Sequence, residues 1–206
     1  RTEVTGTKLR ISISGLTGGH SGVEIDKGRG NANVLMSRIL RDAAEKAPIF
    51  IVSVEGGKKD NAIPRECLSE IIVEEDKAEA VKAAVEEAVN EIREEFASSD
   101  ADFNVTTELS DGCSVKAVTK EDSAKAVALI QSLPNGIMRM SQDIDNLVET
   151  SLNLGIISLD ESGICLRFAL RSSVGVALKN LKNQIACVGK TYGGSVEFTG
   201  EYPAWE

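Results

Sequence analysis

Residues 8–14 (Lys-Leu-Arg-Ile-Ser-Ile-Ser) alternate apolar and polar. That period of two belongs to a strand with one buried face. A glycine-rich stretch, 15–30, interrupts it. Over 31–46 the period becomes helical: Leu35, Met36, Ile39, Leu40 and Ala43 share one face, and Arg38, Arg41 and Glu45 lie off it. Asn31 is placed to cap this helix, and Pro48 ends it. Residues 49–55 read as a buried strand closed by Gly56-Gly57, and 66–74 as another. Asp76 is expected to cap a long helix, with Glu79 as its capping-box partner. Val81, Val85, Ala88, Ile92 and Phe96 form its apolar stripe. The opposite face carries Lys82, Glu86, Glu87, Glu91, Glu94 and Glu95 and is a solvated face. Residues 102–109 alternate through Phe103, Val105, Thr107 and Leu109, a fourth strand.

The order β-α-β-β-α-β over residues 1–110 predicts a ferredoxin-like unit, an antiparallel sheet with helices on one face. Residues 111–206 predict a second, similar unit without sequence repetition. It comprises a short strand near 113–118, a helix over 120–133 between Thr119 and Pro134, and strands over 147–158 and 163–171. A helix over 174–190 and a strand over 194–200 complete it. The fold class is α/β (α+β). No Pro- or Ser-rich linker separates the halves, so they are expected to share a sheet or pack closely.

Composition narrows the partners. The 206 residues carry a net charge of −9, which argues against nucleic acid or a membrane surface, since both recruit clustered Lys and Arg. No apolar run reaches the roughly 18 residues a membrane span needs. Cys67, Cys113, Cys165 and Cys187 are widely spaced, without a CxxC pair, and read as free thiols of a cytoplasmic protein. One histidine, His20, stands in the chain. A His-rich zinc site cannot be built from this chain alone, and a Ser-His-Asp triad would have to use His20. The chain begins with Arg1 rather than Met, which suggests processing or excision from a longer protein.

The densest feature is Gly15-Leu16-Thr17-Gly18-Gly19-His20-Ser21-Gly22, four glycines in eight residues directly after a strand. It lacks the G-K-[S/T] ending of a phosphate-binding loop and the acidic residue of a dinucleotide fingerprint. The glycines expose His20, whose imidazole suits donation to a developing oxyanion. The alternatives are a structural histidine and a dyad with Ser21. Asn61, in Gly56–Pro64, is either a turn residue bonding its own backbone or a carboxamide aimed at a bound amide or carboxylate. Arg167 and Arg171 share one face of a strand. Arg171, at its end, could grip a carboxylate in bidentate fashion or form a surface salt bridge. No metal-ligating cluster is seen.

Four stretches together resemble a known family. They are G-L-x-G-G-H-S-G with G-R-x-N-A-N (15–33), G-G-K-x-D-N-A-I-P-R-E (56–66), V-E-T-S-x-N-L-G (148–155) and L-R-S-S (170–173). The chain resembles, over nearly its whole length, the lid or dimerisation domain of the dinuclear zinc exopeptidases of the carnosinase and aminoacylase superfamily. Within it, the likeness is to the aminoacyl-histidine dipeptidase branch. The Tyr202-Pro203-Ala204-Trp205 end looks like the point where that family re-enters its catalytic domain. The resemblance implies a lid, residues 1–206, excised from a larger metallopeptidase that hydrolyses Xaa-His and related dipeptides. Two zinc ions would be held by the parent's catalytic domain and none by this chain, which alone would be inactive. By the resemblance, His20 donates to the scissile carbonyl or oxyanion in trans across a homodimer. Asn61 contacts substrate, and Arg171 binds its terminal carboxylate. The partners so implied are a dipeptide, the protein's own catalytic domain and a second copy. The rival reading is a stand-alone ferredoxin-like regulatory or dimerisation module that binds a small metabolite.

Overall fold

The computed structural model describes residues 1–200, so the Tyr202–Trp205 stretch lies outside the described residues. The alternation at 8–14 belongs to a longer strand, β1 (Thr2–Ser14). Its Leu9, Ile11 and Ile13 are fully buried. On the opposite face Lys8 and Arg10 approach Glu70 at 3.7 and 3.8 Å. A slip of one residue would turn Arg10 and Ser12 into the core, so the apolar row sets the register.

The chain continues through β2 (Gly19–His20), α1 (Ala32–Lys46), β3 (Phe50–Gly56), β4 (Ala62–Ile63), β5 (Cys67–Val73), α2 (Ala78–Glu95) and β6 (Asn104–Ala117). It then forms α3 (Lys120–Ser132), β7 (Gly136–Met140), β8 (Val148–Asp160), β9 (Gly163–Ser172) and α4 (Gly175–Thr191). The first half has the order β6-β1-β5-β3, all antiparallel, as the β-α-β-β-α-β pattern predicts. The second half joins the same sheet. β8 pairs with β9 along its length and, on its other edge, with β3 near residues 157–159 and with β7 near 148–152. The result is one mixed α/β structure with a seven-stranded antiparallel sheet. α1 packs against α2 and α3, and α3 against α4. One apolar cluster runs from β1, β5 and α1 to Ala126, Val127 and Ile130 of α3 and Leu154, Ile157 and Leu159 of β8. A smaller cluster, Leu152, Leu181 and Ile185, seats α4.

Asn31 caps α1 as expected, accepting from the N–H groups of Asn33 (3.0 Å) and Val34 (3.2 Å). Thr119 caps α3, accepting from Asp122 N–H at 3.2 Å. Asp76 does not cap α2. A 3-10 turn, Glu75–Lys77, takes up Asp76 and moves the helix start to Ala78, where no side chain caps it. Residues 113–118 are no separate strand. They mostly prolong β6, which follows β1 back to Thr2 through a register shift at Gly6/Lys8. Residues 194–200 form no strand; Val196 instead packs on the small cluster. β7 was not expected. Its Gly-Ile-Met-Arg-Met has no alternation and is mostly exposed.

Candidate functional site

The glycine-rich loop is held at both ends by one buried acid. Asp100 accepts from Thr17 N–H and from Gly30 N–H, each at 2.8 Å, one on each carboxylate oxygen. Arg65 Nε donates to Leu16 O at 2.9 Å. Inside the loop, Glu24 accepts the His20 N–H at 2.8 Å on one oxygen and pairs with Arg29 Nη1 at 2.8 Å on the other. The His20 N–H first, and Arg29 second, hold the Glu24 carboxyl below the usual glutamate range.

His20 is exposed and sits in the two-residue strand β2, opposite Ala62 of β4. Its Nδ1 accepts from the backbone N–H groups of Gly22 (3.1 Å) and Val23 (3.2 Å). With Nδ1 engaged as an acceptor, the neutral ring carries its proton on Nε2 and offers it as a donor. The Ser21 hydroxyl is buried and makes no bond to His20, so the two form no dyad.

Arg171 stands one residue before the end of β9, opposite Ser151 of β8. Among the described residues it has no carboxylate partner, and the same holds for Arg167. Arg171 reaches the histidine loop. A Cβ added to Gly22 would lie 3.0 Å from Arg171 Nε, 3.1 Å from its Cζ and 3.1 Å from His20 Cε1. The guanidinium and the imidazole therefore flank one glycine, though 151 positions separate them in the sequence.

Asn61 joins them through its backbone. Its carbonyl accepts from Ser21 N–H at 3.0 Å, and its neighbour Ala62 pairs with His20. Its own carboxamide is exposed and makes no hydrogen bond among the described residues. The loop bearing it is fixed from β8. Asn153 Nδ2 donates to Asp60 O (3.0 Å) and Ala62 O (2.8 Å), the carbonyls on either side of Asn61. Asn153 Oδ1 accepts from Asn31 Nδ2 at 3.0 Å, and Asn31 Nδ2 also reaches Leu154 O at 3.1 Å. Backbone crowding adds to this, since a Cβ on Gly155 would meet Asp60 Cα at 2.4 Å. The motifs around residues 31, 61 and 153 thus meet in a buried carboxamide network. The sequence alone gives no role to Asn153 or Asp100, and gives Gly22 only a share in exposing His20. Polar residues inside apolar alternation, as in Leu152-Asn153-Leu154, were the available signal for Asn153.

The structure brings an imidazole and a guanidinium together, with the exposed Asn61 on the strand-loop paired to the histidine. Groups of this kind can bond a carbonyl and a carboxylate. Among the described residues, no group of three or more His, Cys, Asp or Glu side chains gathers to hold a metal. The cysteines are free thiols, and among the described residues no helix is long and apolar enough to cross a membrane.

Comparison with known proteins bears on this arrangement. Residues 11–100 match the family model described as peptidase dimerisation domain. Over 199 residues, 96% of the chain, the sequence is 32% identical to the cytosol non-specific dipeptidase of Escherichia coli (strain K12), of which it spans 41%. The structure is similar to that of the aminoacylhistidine dipeptidase from Vibrio alginolyticus, with a TM-score of 0.93 and 29% identity. That match covers 100% of this chain and 42% of the other. The chain therefore spans about two fifths of the length of these relatives.

Proposed function

Residues 11–100 are a peptidase dimerisation domain, in a chain homologous to dipeptidases along nearly its whole length, and from that premise we propose that residues 1–206 are the lid of a metallo-dipeptidase. Residues 1–110 and 111–206 are its two structural units. The observation that carries this reading is the pairing of His20 and Arg171 about Gly22. A dipeptidase must bind a free carboxylate next to the carbonyl it polarises, and these are the donors that do so.

His20 Nε2–H donates to the scissile carbonyl oxygen and more strongly to the oxyanion that develops on it. Arg171 takes the terminal carboxylate in a bidentate, charge-assisted contact. The Asn61 carboxamide holds the peptide between them. The substrates are Xaa-His and related dipeptides, in line with the Vibrio relative's name. The lid also supplies a homodimer contact, and His20 serves the partner's catalytic centre. The setting is cytoplasmic, as the Escherichia coli relative's name has it, and the free thiols agree. The residues of this chain do not fit a zinc site, because His20 is the single histidine and, among the described residues, no three His, Cys, Asp or Glu side chains gather to hold a metal. The two zinc ions that the family resemblance implies, with the activated water, belong to the catalytic domain, and the lid alone is without turnover.

The test uses the full-length protein that carries this chain. His20→Ala is expected to lower kcat by ~10²-fold or more, the scale for losing one oxyanion donor. Arg171→Ala is expected to raise KM on free dipeptides and to change little on C-amidated ones. Wild-type kcat in His20→Ala, or equal losses on both substrate types in Arg171→Ala, would overturn the assignments.

A further inference from the structure

We propose that each lid delivers His20 and Arg171 together to one catalytic centre, with Gly22 as the spacer that sets their separation. The inference rests on the roles given to the pair above. Gly18 and Gly19 beside it have φ of 64° and 144°, a conformation that favours glycine. Gly22 has no positive φ, so its backbone would accept another residue. What it lacks is room. Any Cβ there would press on Arg171 Nε and His20 Cε1 at 3.0 and 3.1 Å, inside ordinary van der Waals contact. The same residue orients the ring through its N–H bond to His20 Nδ1.

The frame around the pair is shared. Arg171 lies opposite Ser151 on β8. Two residues along β8, Asn153 holds the Asp60–Ala62 loop, and Ala62 pairs with His20. Imidazole and guanidinium are thus braced from the same strand, and a lid that moves carries both. The spacing also suits the substrate. In a dipeptide the scissile carbonyl carbon and the carboxylate carbon are three bonds apart, roughly 4 Å at most, and each further residue moves the carboxylate about 3.5 Å away. Arg171 Nε and His20 Cε1, both about 3 Å from one point, lie close enough to serve two groups of one dipeptide. Gly22 is a positioning residue here, and His20 and Arg171 make the contacts.

Two experiments on the full-length protein test this. Gly22→Ala is expected to cost about tenfold in kcat/KM on dipeptides, since a displacement near 1 Å costs up to ~10²-fold and this one is smaller. The loss should fall mainly in KM for free-carboxylate substrates. Gly175→Ala, where an added Cβ meets nothing within 4 Å, is the control. Unchanged KM in Gly22→Ala would overturn the spacer role. In the second experiment His20→Ala and Arg171→Ala chains carry different tags, are co-expressed, and the mixed dimer is purified. If one lid serves one centre, every centre in the mixed dimer lacks one donor and turnover stays at the level of the single variants. If the donors come from opposite lids, one centre of the two is complete, activity returns to about half of wild type, and the proposal fails while their roles stand. Unimpaired single variants would instead remove the roles themselves. A monomer with full activity would establish delivery by one lid directly. Arg171→Lys and His20→Gln serve where an alanine variant does not fold.

Discussion

Two backbone N–H groups end on His20 Nδ1, at 3.1 and 3.2 Å, and leave Nε2 as the donor of the neutral ring. Because His20 is the single histidine, its ring nitrogens are directly readable. A proton–nitrogen correlation spectrum of the neutral ring should show the Nε2–H tautomer, and an Nδ1–H signal would remove the donor assigned to the carbonyl. Glu24 holds the backbone of the same residue. Its carboxyl is lowered by the His20 N–H and by Arg29, so the stabilisation it gives is present above the ordinary glutamate range. It is lost as pH falls through the lowered folded value. The Glu24 side-chain carboxyl carbon signal should therefore titrate below the usual glutamate range. At this scale the sequence marks the residues proposed to face a ligand, since His20, Asn61 and Arg171 are polar groups at glycine turns or a strand end. It does not show their supports. Asp100 lies 83 residues from Thr17 and Asn153 lies 91 from Ala62, and no local period reports such a contact.

Elements with a partner face inside the chain were legible. The buried rows of β1 and α1 repeat at two and at 3.6 residues because one side of each meets the core. Three departures each have a physical cause. Residues 194–200 alternate through Val196 and Phe198, yet alternation records only a half-apolar ribbon, and a strand also needs a neighbour to bond. β7 has such a neighbour in β8 but little buried face, so it leaves no pattern. Asp76 has the chemistry of a cap, but the 3-10 turn shifts the helix start by one residue. The glycine-rich loop depends on Asp100, which no pattern singled out. Asp100→Ala leaves Thr17 N–H and Gly30 N–H without their acceptor. Bonds to a charged group are worth about 1.5–3 kcal/mol each, so a loss of about 3 kcal/mol is expected in urea unfolding. Amide exchange should speed at Thr17 and Gly30 ahead of the β1 and β5 amides. A loss below 1 kcal/mol with unchanged exchange would show that the loop is held elsewhere.

At the scale of the molecule, the second half completes the first. The expectation that the two halves share a sheet is met at one edge, that of β3. Near its start, Val118 N–H donates to Ile51 O at 2.8 Å, and Ile51 N–H donates to Ser123 Oγ at 3.0 Å. At its end, Val54, Glu55 and Gly56 pair with Leu159, Ser158 and Ile157 of β8. All of these partners follow residue 117. Leu154, Ile157 and Leu159, with Ala126, Val127 and Ile130 of α3, also close the large core from this side. A fragment ending at Ala117 would keep the order β6-β1-β5-β3 but would expose the β3 edge and the apolar side of α1. An open apolar edge pairs with another chain, and a second copy offers the same edge. Fragment 1–117 is therefore expected to self-associate in sedimentation, while a Ser53→Lys version, with a charge on the half-buried side of that edge strand rather than in the core, should be monomeric or less associated. A folded, monomeric 1–117 would show that the β3 edge needs no cover, and that the second half is present for Arg171 and Asn153 alone.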